Sequence, residues 1–183
     1  MEGYIEEKKK VQQVIKAKEF ASAAHEGQLY GEFPYTKHLN MVASLVESYG
    51  YDAQMIAHLH DIIEDTSVTT DKLKNIFGSF VSECVELLTD PPGKNRKERK
   101  KLLHKRLSEL DQSKNIVLIV KTADRLSNVA MCIAQKNIEL FKMYQREYNE
   151  FKNAVYRDGL CEQLWQLLEN AMTYSFESKE EKI

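Results

Sequence analysis

Apolar residues recur at intervals of three and four along most of this chain, which is the spacing of helices with one buried face. The pattern predicts a first helix over residues 5–25 and a second over 35–49, with a loop at 27–34 between them. A third helix is capped by Asp52 and continues through residue 65. Further helices are expected near residues 69–78, 79–89, 94–110, 115–130 and 137–157, with a last one after Gly159. Because glycine, proline and alternating β patterns are scarce, the sequence predicts an all-α protein.

The third predicted helix carries an unusual concentration of ionisable groups in the stretch 58–65 (HLHDIIED). Buried charges are unfavourable unless they are paired or bind a metal. On a continuous helix, residues four apart share a face, so His60 lies below Glu64 and Asp61 below Asp65. His60 and Asp61 can then bind one ion, while the second pair lies about 5–6 Å further along, where it can activate a water molecule. The alternative is a core helix whose polar residues face solvent.

Two other apolar helices also carry polar residues that need an explanation. His38 lies one turn before the apolar stripe of the second helix, and Asp124 and Asn128 share a face of the helix at 115–130. Together with His60 and Asp61, they would give two imidazoles and two carboxylates. Such a mixed set suits Mn²⁺, Fe²⁺ or Zn²⁺ rather than Ca²⁺. We therefore predict a transition-metal site at the centre of a helical bundle.

Composition restricts the class of protein further. A chain of 183 residues fits one domain, expected at 1–175, with a charged and frayed tail at 176–183. The net charge of −2 argues against long nucleic acids as partners. The absence of a long apolar run or a signal peptide, with three scattered cysteines, predicts a cytoplasmic protein without a membrane partner. A homo-oligomer remains open.

The order of these motifs resembles the HD-domain metal-dependent phosphohydrolases. Within them it is most similar to the hydrolase domain of the RelA/SpoT family and its small stand-alone, Mesh-type relatives. The resemblance covers roughly residues 15–130 and is carried by residues 24–28 (AHEGQ), 31–35 (GEFPY), His38, 60–66 (HDIIEDT), 77–78 (FG), 88–90 (LTD), 98–100 (ERK) and 121–128 (KTADRLSN). The 60–66 and 121–128 segments are its most specific parts.

This resemblance implies an all-α fold, a divalent ion, usually Mn²⁺, and a small nucleotide substrate. The expected reaction removes the 3′-pyrophosphate of guanosine tetra- or pentaphosphate, giving GDP or GTP and pyrophosphate. The implied metal ligands are His38, His60, Asp61 and Asp124, and the implied catalytic pair is Glu64 and Asp65. The implied substrate contacts are Asn128, Arg99 and Lys100, and Lys121 and Arg125 are expected to neutralise the pyrophosphate. The basic run 94–101 is either this phosphate contact or a solvated helix face.

The chain departs from the family pattern mainly where the base should bind. The family's basic residues before the 31–35 segment are replaced by Leu29 and Tyr30, and we predict that the Tyr30 ring stacks on the base. Phe33 is an insertion, and Leu39 and Ser127 replace a proline and a histidine. An HD phosphohydrolase of another nucleotide, including a phosphatase for a nicotinamide dinucleotide phosphate, is therefore an alternative. A non-catalytic nucleotide-sensing module is a third hypothesis.

The remaining histidines carry less specific expectations. His25 is predicted to act in helix capping or packing, or in the site. His58 lies about 200° from His60 around a helix, so it is predicted to face away from the metal. His104 follows the basic run and is predicted to lie at the surface. Cys84 and Cys132 are predicted core residues.

Overall fold

The computed structural model describes residues 2–176 of the chain and confirms the all-α prediction. The helices are Glu2–Ala24 (α1), Thr36–Leu45 (α2), Tyr51–Leu59 (α3), Ile62–Asp65 (α4), Thr70–Phe77 (α5), Ser79–Leu88 (α6), Arg96–Ser108 (α7), Asn115–Ala134 (α8), Ile138–Val155 (α9) and Glu162–Met172 (α10). Short 3₁₀ turns at Glu47–Tyr49 and Gln112–Lys114 precede α3 and α8. The two strands are Leu29–Tyr30 (β1) and Phe33–Pro34 (β2).

Helix α8 is the central element of the bundle. Every residue from Val117 to Ser127 is buried, without the exposed stripe of a surface helix. Helices α2, α3, α6, α9 and α10 pack around it. The polar residues within this helix are therefore held between neighbouring helices, where any ionised group needs a partner.

The predicted third helix is interrupted at the two residues of greatest chemical interest. Helix α3 ends at Leu59 and α4 begins at Ile62, so His60 and Asp61 form the junction. Asp61 has φ −101° and ψ 0°, in the sparsely populated bridge region. The backbone N–H of Asp65 still donates to the Asp61 carbonyl at 2.9 Å. The prediction of one continuous helix was therefore wrong. The spacing of one helical turn between the pair His60–Asp61 and the pair Glu64–Asp65 is nevertheless preserved.

The predicted loop at 27–34 contains a small antiparallel hairpin. Leu29 pairs with Pro34 and Tyr30 pairs with Phe33. Gly31 makes the turn with φ +62°, and the Gln135 side chain lies where a Cβ on this glycine would be. This hairpin therefore lies against the end of α8, and only glycine fits at its turn.

The C-terminal helices complete the core. Trp165 of α10 packs against Phe151 of α9, with ring centroids 5.7 Å apart. Phe176, the first residue of the predicted tail, packs edge-on against Phe141 at 5.3 Å. The rest of that predicted tail, 177–183, lies outside the described residues. Cys84 and Cys132 are buried, as predicted. Among the described helices, none is long and apolar enough to cross a membrane.

Candidate metal and phosphate site

Three of the four predicted ligands meet at one point, and the fourth, Asp61, lies beside the two histidines. Their donor atoms face each other: the Nε2 atoms of His38 and His60 are 3.2 Å apart. Oδ1 of Asp124 lies 3.4 Å from the His38 nitrogen and 3.6 Å from the His60 nitrogen. One donor atom from each of these three residues lies within 4.8 Å of the other two, so they can hold one ion. Asp61 Oδ2 lies 3.0 Å from the His60 nitrogen and 3.6 Å from the His38 nitrogen.

Each histidine ring is oriented through its other nitrogen. Nδ1 of His60 donates to the carbonyl of Ala57 at 2.7 Å, because a carbonyl oxygen can only accept. Nδ1 of His38 lies 3.0 Å from the Ser127 hydroxyl oxygen, which can accept its proton. In both rings, Nε2 is then the nitrogen directed at the cluster, as in metal sites where an outer partner sets the tautomer. Ser127 thus has a function at a position where the family usually has histidine.

Asp124 is held by two neighbours on its own helix. Lys121 donates to its Oδ2 at 3.0 Å, and the Asn128 amide donates to its Oδ1 at 2.6 Å. Burial favours the protonated acid, but Lys121 and the two histidines hold the pKa of Asp124 well below its usual range. The carboxylate is therefore ionised and its orientation is fixed.

Tyr35 connects the two acidic residues that flank α4. Its hydroxyl oxygen lies 2.7 Å from Oδ2 of Asp61 and 2.7 Å from Oδ2 of Asp65. Burial and the Asp61 carboxylate raise the pKa of Tyr35, so the phenol keeps its proton. The ring stacks flat on His25 at a centroid distance of 4.6 Å. Sequence analysis gave Tyr35 no role, although its position three residues before His38 places both on one side of the start of α2.

A partly exposed network of acidic and basic groups extends the site toward α7. Glu64 Oε2 accepts from the backbone N–H of Asp90 at 3.1 Å, and Lys100 donates to the Asp90 carboxylate at 2.7 Å. Desolvation and the Asp90 charge raise the pKa of Glu64. Burial and the nearby Lys121 charge lower the pKa of Lys100. Sequence analysis gave Asp90 no role beyond its place in the 88–90 segment, since a single aspartate before two prolines is typical of a turn.

The basic run 94–101 divides between several partners. Lys100 and Arg99 contact Asp90, with Arg99 Nε at 3.6 Å, whereas Arg96 makes two hydrogen bonds to Glu147 of α9. Neither a phosphate contact nor a solvated helix face therefore describes the whole run, because Arg96 connects α7 to α9.

Arg125 requires a correction. Its guanidinium lies over the rings of Tyr144 and Phe151 and 3.5 Å from Glu147, and the residue is only 4% exposed. The predicted contact with pyrophosphate does not fit this position, because the charge is directed to α9 and already paired. Arg125 instead stabilises the packing of α8 on α9.

Tyr30 lies directly over the predicted ligands. Its ring stacks on His38 at 4.8 Å with an angle of 12° between planes, and its hydroxyl donates to Oδ1 of Asn128. Burial raises its pKa, so the hydroxyl is a donor at neutral pH. One face of this ring is therefore occupied by a histidine.

The remaining histidines lie in three different environments. His25 is 2% exposed and bonds Gln28 through Nδ1 at 2.8 Å, which gives it a packing role beside the site. His58 lines a separate cavity, and burial and Lys18 lower its pKa to about 4. His104 is 8% exposed and packs edge-on against Phe151, so its predicted surface position was wrong. It faces the body because α7 packs against α9.

Comparison with known proteins identifies the class. The HD domain family matches residues 17–151, which is more than half of the chain, and this protein belongs to that family. The chain is 34% identical over 122 residues to guanosine-3′,5′-bis(diphosphate) 3′-pyrophosphohydrolase of Haemophilus influenzae. It is 32% identical over 122 residues to the bifunctional (p)ppGpp synthase/hydrolase SpoT of Escherichia coli K12. Each match covers 60% of this chain but only 17% and 16% of the relative, so the chain spans about a sixth of their length.

Solved structures show the same fold. One, described as a metazoan ortholog of SpoT that hydrolyzes ppGpp and plays a role in starvation responses, has a TM-score of 0.71 and 20% identity. That match covers 87% of this chain and 93% of the other. A Listeria monocytogenes protein has a TM-score of 0.62 at 18% identity, over 80% of this chain and 100% of the other. The HD-type helical bundle predicted from the sequence is thereby confirmed.

Proposed function

We propose that this protein hydrolyses the 3′-pyrophosphate of guanosine tetra- or pentaphosphate with a divalent transition ion, Mn²⁺ in the first instance. One observation carries the proposal: donor atoms of His38, His60 and Asp124 all lie within 4.8 Å of one another, and Asp61 Oδ2 lies 3.6 Å and 3.0 Å from the two histidine nitrogens. The names of the relatives from Haemophilus influenzae and Escherichia coli support the choice of substrate.

The donor set fits such an ion. Imidazole and carboxylate together suit Mn²⁺, Fe²⁺ and Zn²⁺. Ala57, Ser127 and Lys121 bond the outer atoms of His60, His38 and Asp124, and Tyr35 and Asn128 donate to the carboxylate oxygens of Asp61 and Asp124 that face the cluster. A bound ion supplies Lewis-acid chemistry, because it lowers the pKa of water and polarises a phosphoryl oxygen. Without a bound ion, the charge of the two ionised carboxylates would be balanced only by the two imidazoles.

Glu64 and Asp65 are assigned to the attacking water. Glu64 is held by the Asp90 N–H, and its raised pKa makes it a better base at neutral pH than an ordinary carboxylate. Asp65 is held by the Tyr35 hydroxyl. Water adds to the phosphorus that carries the ribose 3′-oxygen, and Glu64 accepts a proton from it. The bond between this phosphorus and the 3′-oxygen breaks, and the 3′-oxygen takes up a proton, which gives pyrophosphate.

Lys100 and Lys121 are assigned to the pyrophosphate. Each already contacts a carboxylate, Asp90 or Asp124, and burial together with repulsion from the Lys121 charge lowers the pKa of Lys100. A polyanion between them relieves this repulsion. Arg99 is 38% exposed at its side chain and lies beside Lys100, where it can extend the cationic surface.

The nucleoside is assigned to a cavity of about 700 Å³. It is lined by the hairpin (Glu32, Phe33), α2 (Lys37, Met41), the end of α8 (Ala130, Met131, Ala134) and the connection to α9 (Gln135, Asn137). On α8, Asn128 precedes Ala130 by two residues, and it accepts a hydrogen bond from Tyr30, whose ring stacks on His38. A volume of this size accommodates a nucleoside.

A metal-supplemented screen of nucleotides, with products identified by mass spectrometry, tests the proposal. We expect pyrophosphate and GDP from guanosine 3′,5′-bis(diphosphate). Cleavage of a nucleotide or dinucleotide phosphate without a 3′-pyrophosphate, and not of this substrate, would support the alternative phosphohydrolase, which is favoured by the engagement of Tyr30 with Asn128. Binding of nucleotides without any turnover would support the sensing module.

A further inference from the structure

His25 packs beside the site, and its polar contacts lead to one of the two residues assigned to the attacking water. The residue follows directly after α1 and is only 2% exposed. Its Nδ1 atom lies 2.8 Å from Oε1 of Gln28, and Nε2 of the same Gln28 amide donates to the backbone carbonyl of Asp65 at 2.8 Å. A buried imidazole is thus connected, through one glutamine, to the end of α4.

These contacts fix which nitrogen of His25 carries the proton. Because the Asp65 carbonyl can only accept, the Gln28 atom that faces it must be the amide nitrogen. The amide oxygen then faces His25, so Nδ1 of the ring is the donor. The Nε2 atom of His25 is buried and has no hydrogen-bond partner within residues 2–176, which is uncommon for a buried polar atom. The polar hold on the ring therefore runs through Nδ1 to Gln28.

Gln28 is itself held at both ends of its backbone. Its N–H donates to the His25 carbonyl at 3.0 Å, and its carbonyl accepts from the Tyr35 N–H at 3.0 Å. The Tyr35 ring stacks on His25, and the Tyr35 hydroxyl oxygen lies 2.7 Å from Oδ2 of Asp65. Asp65 is therefore held at its backbone through Gln28 and at its carboxylate through Tyr35, and His25 contacts both of these partners.

The contact from Gln28 supplies something that α4 cannot supply for itself. The last carbonyls of a helix have no partner within that helix, and α4 is only four residues long, with Asp65 at its end. A shift of this carbonyl would also move the Asp65 carboxylate. A displacement of about 1 Å at a catalytic group can lower turnover by about a hundredfold, so the hold on this helix end matters for the reaction.

We propose that His25 is a positioning residue, which fixes the end of α4 and hence the Asp65 carboxylate by donating from Nδ1 to Gln28. Its kinetic consequence rests on the proposed hydrolytic function, whereas the hydrogen bonds can be tested without it. Among the described residues, His25 makes no hydrogen bond to a predicted metal ligand. Its loss should therefore change turnover rather than metal content.

Nitrogen-15 NMR of the full chain tests the hydrogen bonds in the absence of substrate. We expect the neutral His25 ring to carry its proton on Nδ1, and the Gln28 side-chain amide signals to change in His25→Phe but not in His104→Phe. His104 is the matched control, because it is a buried histidine that packs against Phe151 of α9. A proton on Nε2 would overturn the proposal even if the expected nucleotide is hydrolysed. The expected spectrum without any turnover would instead overturn only the proposed function.

Three substitutions of His25 separate the donor from the ring. His25→Phe keeps a flat ring on Tyr35 but removes the donor, so kcat should fall by about tenfold with KM and metal content unchanged, as for one lost hydrogen bond. His25→Asn places an amide nitrogen near the Nδ1 position and should keep kcat within about threefold of the unaltered protein. His25→Gln places its amide near Nε2, which has no partner, and should lose as much as His25→Phe. An unchanged kcat in His25→Phe, or a better rescue by Gln than by Asn, would overturn the proposal.

A double-mutant cycle shows whether the effect of His25 runs through Asp65. In the Asp65→Asn background, His25→Phe should cause little further loss of kcat, because the carboxylate that it positions is already gone. Gln28→Leu should lower kcat as His25→Phe does, and it preserves the fold because Gln28 is only partly buried. A general loss of packing would instead lower turnover by the same factor in both backgrounds. Such additivity would show that His25 only packs.

Discussion

The Nε2 atoms of His38 and His60 face each other at 3.2 Å, although the two residues are separated by 22 positions and lie on different helices. Two nitrogens that both present lone pairs would repel at this distance, so a proton or a cation must lie between them. Burial alone would lower the pKa of His60, but the Asp61 and Asp124 carboxylates raise it to about 10. At neutral pH, the ring therefore carries a proton that a metal must displace.

The first prediction is that metal binding releases protons. Because the pKa of His60 without metal is about 10, affinity for Mn²⁺ should increase as the pH rises toward that value. Calorimetry in two buffers with different ionisation enthalpies measures the number of protons released. His38→Ala should abolish the release together with binding, and His104→Gln serves as the control. Equal heats in both buffers would contradict the prediction.

The second prediction separates metal binding from catalysis. Asp61→Asn should reduce metal content, because an amide is a poorer ligand than a carboxylate. Glu64→Gln should keep the metal and lower turnover by a factor on the order of 10² or more, since acid–base assistance is lost. Asp65→Asn should behave like Glu64→Gln. Metal analysis and turnover are measured on the same samples, and an empty site in the Glu64 variant would refute its assignment to the water.

The residues of this site were predictable because a short motif and a periodic pattern specify them. His60 and Asp61 are adjacent in sequence, and Asp124 lies in a strongly apolar helix, where an ionised group is conspicuous. The long helices were predicted for the same reason, since their apolar faces repeat over many turns.

Contacts between distant segments could not be predicted in this way. The break at His60–Asp61 changes only a few backbone hydrogen bonds, which a residue pattern does not record. The sequence alone does not distinguish Arg125 from an arginine that binds phosphate. Only the contacts of its guanidinium with Phe151 and Glu147 show that its charge is directed at α9. Tyr35 joins Asp61 and Asp65 across 26 and 30 residues, so its role depends on the fold.

The third prediction concerns Tyr35. Tyr35→Phe removes the hydroxyl from both carboxylates but keeps the ring that stacks on His25. Loss of one hydrogen bond to a charged group corresponds to about 1.5–3 kcal/mol, so metal affinity and turnover together should fall by roughly 10- to 150-fold. Tyr4→Phe, which removes the same hydroxyl from an exposed tyrosine of α1, is the control. Unchanged affinity and turnover in Tyr35→Phe would show that the hydroxyl does not position either carboxylate.

The fourth prediction concerns the loss of stability in acid that His58 causes. Its folded pKa of about 4 lies below the ordinary value of 6.5 because of burial, Lys18 and His60. The unfolded chain therefore binds the proton more readily, and stability should be lost as the pH falls from about 6.5 to 4. Glu47 also lines the cavity beside His58 and opposes the effect of Lys18. Urea unfolding should show a smaller loss in His58→Gln, and identical pH dependence of the two proteins would contradict the prediction.

The last prediction concerns Tyr30 and the base. The hydroxyl of Tyr30 donates to Asn128, which in turn donates to Asp124, so Tyr30 orients the groups beside the predicted ligands. Tyr30→Phe should therefore raise KM several-fold, consistent with about 1 kcal/mol for one hydrogen bond. Tyr30→Ala should raise KM further, because it also removes the ring that covers His38. In both variants KM should change more than kcat if the ring contacts the base.

The same position governs base specificity. Without a cation at residues 29 and 30, only stacking and backbone hydrogen bonds are left to read the base, so guanosine and adenosine 3′-pyrophosphates should differ by about tenfold or less, which is about 1.4 kcal/mol. Leu29→Ala is the control, since Leu29 is 66% exposed on the same hairpin. Steady-state kinetics with both nucleotides gives the ratio of kcat/KM. A preference for guanine above about a hundredfold would mean that another residue recognises the base. Substitution of Glu32, Lys37 or Gln135, which line the cavity, should then reduce that preference.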